Sequence, residues 1–372
     1  MAPPTCVVTS RGSARYPVSP EGPVLVVGTG LLGASIGLSL RRAGVDVALT
    51  DLSEENLRIA TGLGAGNLPV AGTRPRLVVV AVPPDHLATE IVRALEDHDG
   101  IVTDVGSVKA GPLAAVRSRV EPTSLTRYVG SHPMAGSERS GPFAASAALF
   151  DGRPWAVAPH PDASPEAVDA VTALARACGA TPVILAPEEH DEAVARISHL
   201  PHLLAALAAG RLTDAPRSHL SLSGQGLRDV TRVAAGDPRL WQQIVAANTR
   251  ALTGLLRDVR TDLDTLLGAL EGGDRSAVGD ILDRGVLGTS VIPGKHGGPA
   301  VAETPVYVAV PDHPGELARL LADAGEIGVN IEDLRIDHDP ERPVGLVELF
   351  VAADAVDHLL ASLADRGWTS HR

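Results

Sequence analysis

The pattern of hydrophobic and polar positions predicts alternating strands and helices over the first half of the chain. Short apolar, β-branched runs recur there, and helical spacing of apolar residues follows most of them. The runs lie at Val24–Val27, 45–50, 77–82, 101–105, 155–158 and 181–185. Continuous apolar runs of this kind are typical of parallel strands that are buried on both faces. We therefore predict an α/β domain built on a parallel sheet, which the last two runs could complete.

The second half of the chain begins with a long helical stretch. Between residues 187 and 288 the apolar positions recur at helical spacing. Asp237 and Pro238 form an N-cap followed by proline at the first helical position, and the helix that they open is predicted to run to Gly272. A helix of that length in a small domain needs a partner to cover its apolar side, so we predict a homodimer built on this region.

A smaller unit is predicted at the end of the chain. Apolar runs at 306–310, 329–337 and 344–352 have strand character, and helical patterns follow the first and the third. This order predicts a βαββα unit with room for only a short final strand. Glycines and prolines at 294–304 predict a linker before it.

Composition and charge narrow the classes of function. The chain has 372 residues with 44% hydrophobic and 21% charged residues, as expected for two or three globular domains. A formal charge of −13 argues against a nucleic acid or an anionic membrane as partner. Cys6 and Cys178 cannot form a disulfide framework or a zinc site, and no metal is expected. The first 22 residues lack the apolar core of a signal peptide, so we predict a disordered leader and a cytoplasmic protein.

The turn after the first strand carries the pattern of a dinucleotide site. Gly28 permits the sharp bend, Gly30 lets a pyrophosphate approach the backbone, and Gly33 lets the helix pack closely on the strand. The phosphates would sit at the helix N-terminus, where unpaired N–H groups and the helix dipole favour an anion. The alternative is an ordinary glycine loop. We expect the following residues of this turn to contact the cofactor: Gly28, Gly30, Leu31, Leu32 and Gly33.

Two further residues belong to the predicted cofactor site. Asp51 ends the second strand, eighteen residues beyond Gly33, where a carboxylate accepts hydrogen bonds from an adenosine ribose. Its charge also repels a 2′-phosphate, which favours NAD over NADP. Pro83 ends the next strand at the same edge of the sheet. The fold class is thus an α/β protein whose first domain is of the Rossmann type.

The domain boundaries follow from these elements. We predict a leader at 1–22, a Rossmann-type NAD-binding domain at 23–186, a helical substrate and dimerisation domain at 187–292, a linker at 293–304 and an α+β domain at 305–372.

Polar clusters supply the candidate catalytic groups. Residues 130–141 are rich in glycine and polar side chains and are predicted to be a loop, in which His132 could act as an acid or base near neutral pH. The alternative is a turn histidine held by backbone hydrogen bonds. Ser107 follows the strand at 101–105 and lies at the carboxyl edge of the sheet, where ligands bind in open α/β sheets.

The helical region holds a second polar cluster. Ser198 and His202 are four residues apart and share a helix face, whereas His199 is turned about 100° away. Pro201 lacks an N–H and crowds the carbonyl of Ile197, so it should kink the helix beside them. This arrangement suits a binding wall, although two solvated polar residues on a bent helix would show the same pattern.

Arg232 is a candidate for binding a substrate carboxylate. A guanidinium pairs with a carboxylate in bidentate fashion, which gives geometry as well as energy. Arginines in surface salt bridges are commoner, so the sequence alone leaves both interpretations open. Trp241 lies nine residues beyond it.

Together these clusters resemble the prephenate dehydrogenase family of tyrosine biosynthesis. The matching segments are GTGLLGAS, DVGSVK, GSHPMAGSERSG, ISHLPH and RDVTR, in family order. The segment beginning PVYVAVPDHPGEL resembles an ACT domain, a regulatory module that commonly binds amino acids. Some members of the family carry such a module after the helical domain.

The resemblance implies a role for each site residue. His132 matches the histidine that polarises the substrate ring hydroxyl or takes its proton, and Ser107 a serine near the nicotinamide. Ser198 and His202 match substrate contacts, and Arg232 matches an arginine that binds a substrate carboxylate. The remaining matches are Glu138, which orders the pocket, and Trp241, which a neighbouring subunit contributes. In the ACT segment, positions that hold effectors are matched by Asp312, His313, Gly315, Asn330 and Ile331.

The implied reaction is NAD-dependent oxidative decarboxylation of prephenate to 4-hydroxyphenylpyruvate. Hydride leaves the ring carbon that bears the hydroxyl, carbon dioxide is lost and the ring becomes aromatic. Tyrosine is the expected effector. Two alternatives stay open: an arogenate dehydrogenase that makes tyrosine directly, and a sensor of NAD and amino acids that has lost turnover.

Overall fold

The computed structural model of the chain describes residues 22–136, 139–292, 303–338 and 344–372. Contacts divide the chain into two compact units, Met1–Val259 and Arg260–Arg372. Almost all of the predicted leader at 1–22 and of the predicted linker at 293–304 lies outside the described residues. Each unit is considered by itself below.

The first unit begins with the predicted parallel sheet. Its elements are β1 (Val24–Val27), α1 (Leu31–Arg42), β2 (Val47–Thr50), α2 (Glu54–Gly62), β3 (Leu77–Val80), α3 (Pro84–Asp97), β4 (Ile101–Asp104) and α4 (Ala110–Arg117). The strands pair in parallel in the order β2-β1-β3-β4. Val78, Val79 and Val80 are fully buried, as expected for a strand with helices on both faces. The Rossmann-type prediction is confirmed.

A second, smaller sheet follows. Its elements are α5 (Pro122–Leu125), β5 (Gly130–Pro133), β6 (Pro154–Ala158), α6 (Pro165–Ala177) and β7 (Thr181–Ile184). Strand β6 pairs antiparallel with β5 and parallel with β7, and a bridge between Val102 and Tyr128 connects the two sheets. The prediction that β6 and β7 complete the main sheet is therefore wrong, because β5 takes the place beside β6.

Strand β5 also corrects the prediction that all of residues 130–141 form a loop. Local composition indicates a loop because the segment is rich in glycine and proline. Strand β6 nevertheless pairs antiparallel with Gly130–Pro133 through residues 155–158. Tertiary pairing overrides the local preference. His132 consequently stands on a strand rather than in a turn.

The helical region is confirmed from Pro187 onward. It contains α7 (Pro187–Val194), a π-helical turn (Ala195–His199), α8 (Leu200–Gly210), α9 (Arg217–Leu220), α10 (Gln225–Arg232), α11 (Pro238–Ala247), α12 (Thr249–Gly272) and α13 (Arg275–Ser290). The prediction of one helix from Pro238 to Gly272 is wrong, because the chain breaks at Asn248 (φ −117°, ψ 26°). The buried Asn248 amide donates a hydrogen bond to the Asp191 carbonyl at 2.8 Å, which fixes the break.

The C-terminal sheet forms as predicted. Its elements are β8 (Glu303–Pro311), α14 (Glu316–Ile327), β9 (Asp333–His338), β10 (Val344–Ala352), α15 (Val356–Asp365) and β11 (Thr369–His371). The strands pair antiparallel in the order β11-β8-β10-β9. Buried side chains such as Val308, Leu349 and Leu363 form the core. Strand β11 is the short final strand that the sequence allows.

Helices α12 and α13 expose large apolar side chains. Leu263, Leu267 and Leu270 lie on one face of α12 and are 53%, 48% and 60% exposed. Leu282 and Val286 lie one turn apart on α13 and are 64% and 66% exposed. No helix among the described residues is both long enough and apolar enough to cross a bilayer.

Candidate active site

The turn between β1 and α1 has the geometry that a dinucleotide requires. Gly28 has φ +94°, and a Cβ there would lie 2.5 Å from the Ala81 carbonyl oxygen. A Cβ on Gly33 would collide with the Gly28 carbonyl oxygen, so helix and strand pack too closely for any side chain. At Gly30 a Cβ would meet nothing within 4 Å, which leaves the backbone open to a ligand.

The N-terminus of α1 is also available to a phosphate. Its N-cap residue Gly30 makes no side-chain hydrogen bond, so the first N–H groups of the helix lack a side-chain cap. These N–H groups and the helix dipole favour an anion. Leu31 and Leu32 form the first turn of the helix, and the exposed Pro83 lies beyond the carboxyl end of β3. The residues present therefore fit NAD.

The Asp51 carboxylate stabilises the glycine turn by hydrogen bonds. Its Oδ2 accepts hydrogen bonds from the Thr29 backbone N–H at 2.6 Å and from the Thr29 hydroxyl at 2.7 Å. Its Oδ1 accepts from the Ser53 N–H at 2.7 Å. The sequence indicated only the ribose for this carboxylate, whereas the structure adds a role in shaping the turn. The contact with a ribose stays a prediction.

His132 is held by a second histidine. Its Nδ1 lies 3.0 Å from Nε2 of His190, and the two rings meet edge to face with centroids 5.2 Å apart. The Nδ1 of His190 lies 2.9 Å from Oδ1 of Asp191. Sequence reasoning missed both partners. They lie in α7, the acidic first helix after the α/β domain. Nothing in their sequence surroundings indicates that the fold brings them to His132 on β5.

Asp191 is itself anchored at the start of α4. Its Oδ1 accepts a hydrogen bond from the Lys109 N–H at 2.7 Å, and its Oδ2 accepts from the Ala110 N–H at 2.9 Å. A carboxylate at a helix N-terminus satisfies unpaired N–H groups and interacts favourably with the helix dipole. The carboxylate thus joins α7 to the turn that contains Ser107.

A buried ion pair lies under the strand that carries His132. The Lys109 ammonium donates to the Asp104 carboxylate and, at 2.7 Å, to the Ser131 carbonyl oxygen. The Tyr128 hydroxyl donates to the other Asp104 oxygen at 2.7 Å. Burial lowers the pKa of Lys109, and the Asp104 carboxylate opposes that shift. Since each polar atom has a partner, the network ties the end of β4 to β5.

The pKa of His132 is lowered well below its ordinary value of 6.5. Burial is the largest cause, and unfavourable interactions of the imidazolium with His190, Lys109 and His199 add to it. The imidazole is therefore neutral at pH 7. A neutral imidazole is the form that can accept a proton.

Two histidines and a tryptophan form the helical wall of the site. The rings of His202 and Trp241 stack with centroids 3.5 Å apart and planes within 8°. His199 meets the same indole edge to face at 6.1 Å. The α-helical geometry expected for residues 195–199 is wrong, because the segment before Pro201 is a π-helical turn. A π-helical turn is a common feature of functional sites.

Trp241 packs on His202 of its own chain. The placement that the resemblance implies, in the pocket of a neighbouring subunit, stays a prediction. The turn from α10 to α11 folds back over α8 and carries the indole with it. Gly236 permits the close approach, because a Cβ there would lie 2.5 Å from Nε1 of Trp241.

His199 is a further residue that the sequence did not single out. It is buried, and its Nδ1 lies 3.2 Å from the Asn248 amide nitrogen, which has only protons to offer. Burial is the main cause that lowers the pKa of His199 to about 4. Its neighbour Asn248 is the residue that breaks the predicted long helix, so the break is part of the site.

Ser107, Ser198 and Arg232 lie on elements that the structure describes. Ser107 is half-buried in the turn after β4, and Ser198 is half-buried in the π-helical turn. Arg232 is exposed at the end of α10 and precedes Val233, whose backbone hydrogen-bonds His202. Glu138 lies outside the described residues.

The predicted effector positions all belong to the C-terminal unit. Asp312, His313 and Gly315 are exposed in the turn between β8 and α14, and Gly315 has φ +97°. The Asn330 side chain donates to the Glu332 carboxylate at 2.6 Å, just before β9. The partly buried Ile331 packs on the core of this unit.

Comparisons with known proteins agree with this geometry. Residues 36–185 match the family model described as prephenate dehydrogenase, nucleotide-binding domain, and residues 186–283 match prephenate dehydrogenase, dimerization domain. A Streptomyces niveus protein named "Probable prephenate dehydrogenase NovF" is 36% identical, over 93% of this chain and 99% of its own length. Prephenate dehydrogenase of Bacillus subtilis is 27% identical, over 89% and 92% of the two chains.

A solved structure shows the same fold. Prephenate dehydrogenase from A. aeolicus, crystallised with hydroxyphenyl propionate and NAD⁺, superposes with a TM-score of 0.65 at 24% identity. The match covers 73% of this chain and 98% of that one.

The Rossmann-type sheet, the glycine turn and a neutral histidine in the same unit define an NAD-dependent oxidoreductase. NAD is its cofactor. The chain belongs to the prephenate dehydrogenase family.

Proposed function

We propose that this enzyme converts prephenate to 4-hydroxyphenylpyruvate and carbon dioxide. The observation that carries the proposal is a neutral His132 on β5, hydrogen-bonded to His190 and next to Ser131, whose hydroxyl donates to the Asp104 carbonyl at the end of β4. NAD⁺, held by Gly28, Gly30, Gly33 and Asp51, supplies the hydride acceptor when it is bound.

The role of His132 is to hold one proton during the reaction. It accepts the proton of the ring hydroxyl as hydride leaves the same carbon, which makes that carbon a carbonyl. Loss of carbon dioxide sends an electron pair into the ring, and the resulting phenolate oxygen takes the proton back. No net proton is consumed. Positioned proton transfer of this kind contributes roughly 10²–10⁴-fold to the rate.

The other site residues are proposed to bind and orient prephenate. Arg232 pairs with a substrate carboxylate, because a guanidinium is the natural partner for that group and the net charge of −13 leaves local cations to attract it. Ser198 and His202 contact the ring, and Trp241 holds His202 in place by stacking. Ser107 is proposed to contact the nicotinamide and the ring hydroxyl, as the resemblance implies.

Parallel assays on two substrates test the proposal. Purified protein with NAD⁺ is given prephenate or arogenate, and NADH formation is followed by absorbance. We expect kcat/KM to favour prephenate. Preference for arogenate would assign the enzyme to the arogenate reaction instead, and turnover of neither substrate with NAD binding intact would refute the proposal. That the enzyme works in the cytoplasm stays a prediction, which cell fractionation would check.

The exposed faces of α12 and α13 support a homodimer. Leu263, Leu267 and Leu270 recur at helical spacing, and the family model for this region is named for dimerization. Apolar stripes of this kind commonly mark protein interfaces. Leu267→Glu should therefore shift the molar mass in light scattering from dimer to monomer. Thr265→Glu, on the opposite face of α12, is the matched control and should leave the dimer intact.

The C-terminal unit is proposed to be an ACT domain that binds tyrosine. Its βαββαβ order, the sheet order β11-β8-β10-β9 and the left-handed Gly315 in the first turn support this assignment. Tyrosine should bind the full chain in calorimetry and lower the rate of NADH formation. Asp312→Ala should weaken that binding, whereas the matched Asp354→Ala, at an exposed position just before α15, should not. Equal effects of the two variants would place the effector elsewhere.

A further inference from the structure

His190 and Asp191 have no role in the reaction as described so far, yet they form a continuous chain with His132. The distances are 3.0 Å from His132 Nδ1 to His190 Nε2 and 2.9 Å from His190 Nδ1 to Asp191 Oδ1. All three side chains come from the first unit, on β5 and α7. Such a chain constrains where each proton can be.

The protons can be assigned from the carboxylate end. Both oxygens of Asp191 already accept backbone hydrogen bonds, from Lys109 and Ala110, so the Nδ1 of His190 must be the donor to that carboxylate. When the His190 ring carries that single proton on Nδ1, its Nε2 is an acceptor. The Nδ1 of His132 must therefore donate to it.

We propose that His190 is a positioning residue that fixes His132 in the tautomer with Nδ1 protonated and Nε2 free to accept a proton, with Asp191 holding His190. This inference rests on the proposed function only in that the free Nε2 accepts the proton of the substrate hydroxyl. The opposite tautomer of His132 would place two unprotonated nitrogens 3.0 Å apart, with their lone pairs facing each other. The hydrogen-bonded chain of His132, His190 and Asp191, called the relay below, therefore selects the tautomer of His132 that can act as a base.

The relay also holds the ring of His132 in a fixed orientation. Asp191 receives N–H groups from the start of α4, and its own carbonyl accepts from Asn248 at 2.8 Å. The elements that meet at Asp191 thus come from three separate parts of the sequence, near residues 109, 191 and 248. A ring that is fixed this way needs little reorganisation when the proton moves.

Charged and titratable groups from every packed element face His132. Lys109 lies in the turn before α4, with Asp104 of β4 as its partner, and His199 lies in the π-helical turn. His190, Lys109 and His199 disfavour the imidazolium, and Asp191 contacts His190. The tautomer is thus set by the hydrogen bonds, and the neutral state by burial and the neighbouring charges.

Nitrogen NMR on the full chain tests the tautomer directly. Histidine labelled with ¹⁵N shows protonated and unprotonated ring nitrogens at well-separated shifts, and the signals of His132 are identified by their loss in His132→Gln. We expect the unmodified protein, at neutral pH and without substrate, to show protonated Nδ1 and unprotonated Nε2. Protonated Nε2 would overturn the proposal. This measurement stands whether or not prephenate proves to be the substrate.

A pair of variants tests the cause. His190→Phe removes the acceptor, so the fixed tautomer should be lost and kcat should fall about 10²–10³-fold while the Kd for NAD changes less than about twofold. His160→Phe is the matched control, because His160 is a buried histidine of the same unit bound to the Tyr128 carbonyl and outside the relay. It should leave the His132 signals unchanged. A His190→Phe protein that keeps the tautomer, or keeps kcat within about threefold, would contradict the relay.

Discussion

The indole of Trp241 lies parallel to the imidazole of His202, with ring centroids 3.5 Å apart and an angle of 8° between the planes. The stack depends on Gly236, where a Cβ would lie 2.5 Å from Nε1 of the indole and 3.3 Å from Cε1 of His202. The wall of the proposed substrate site is therefore controlled by a residue without a side chain.

Gly236→Ala should displace Trp241 and raise the KM for prephenate. Overpacking of this kind costs about 1–3 kcal/mol, which corresponds to roughly 5- to 150-fold if the cost falls on binding. Gly226→Ala is the matched control, because a Cβ at Gly226 in α10 would meet nothing within 4 Å. Steady-state kinetics compares the two variants. Equal KM values would show that the stack does not contribute to binding.

Arg232→Ala should chiefly raise the KM for prephenate. Leaving a bound carboxylate unpaired costs about 1.5–3 kcal/mol, or roughly 10- to 150-fold in affinity. The control Arg217→Ala removes an exposed arginine from α9 and should have no such effect. If KM stays unchanged in the Arg232 variant, another cation binds the carboxylate.

Asp51→Ala should weaken NAD⁺ binding and reduce the preference for NAD⁺ over NADP⁺. The substitution removes the acceptor of three hydrogen bonds that shape the turn and also removes the charge that repels a 2′-phosphate. An increase of about 10- to 100-fold in the KM for NAD⁺ is expected from the loss of charged hydrogen bonds. Thr29→Val keeps the carboxylate and loses only one bond, so its effect should be smaller. The reverse order of effects would contradict a role of the charge.

The free energy of unfolding should fall as the pH is lowered between the pKa of His199 in the unfolded chain and its pKa in the folded chain. The pKa of His199 is about 4 in the folded chain, against about 6.5 when unfolded. Between these pH values the unfolded chain binds a proton at His199 and the folded chain does not. The contribution of His199 to the free energy of unfolding is therefore fully present above about pH 6.5 and is lost progressively toward pH 4. The lowered pKa values of His132 and His202 act in the same direction.

Urea unfolding at pH 7 and pH 5 measures this loss. His199→Asn keeps an acceptor near the Nδ1 position for Asn248 and removes the titrating group, so its free energy of unfolding should depend less on pH. His219→Asn, at an exposed histidine of α9, is the control and should keep the full dependence. Identical pH dependence in the two variants would show that His199 is not the group responsible.

Local signals in the sequence were sufficient for much of the fold. The glycine turn at Gly28 and Gly33, the buried run of β3 and the helical spacing beyond Pro187 each depend on neighbours in sequence, and the structure shows them as predicted.

The corrections share one physical cause, which is contact between distant segments. Gly130–Pro133 becomes a strand because β6 pairs with it, and Asn248 breaks a helix because its amide reaches Asp191. His132 could be singled out from its sequence surroundings. His190 and Asp191 could not, because their surroundings are those of an ordinary acidic helix and their role arises only where α7 meets β5 and α4.

The most direct test of the catalytic assignment is kcat measured against pH for the unmodified enzyme and for His132→Ala, with the Kd for NAD⁺ measured alongside. Because the pKa of His132 is lowered, the activity of the unmodified enzyme should fall with acid only below about pH 6.5. His132→Ala should lose roughly 10²–10⁴-fold in kcat with little change in NAD⁺ binding. Equal losses in kcat and in NAD⁺ affinity would contradict the role of His132 as the base.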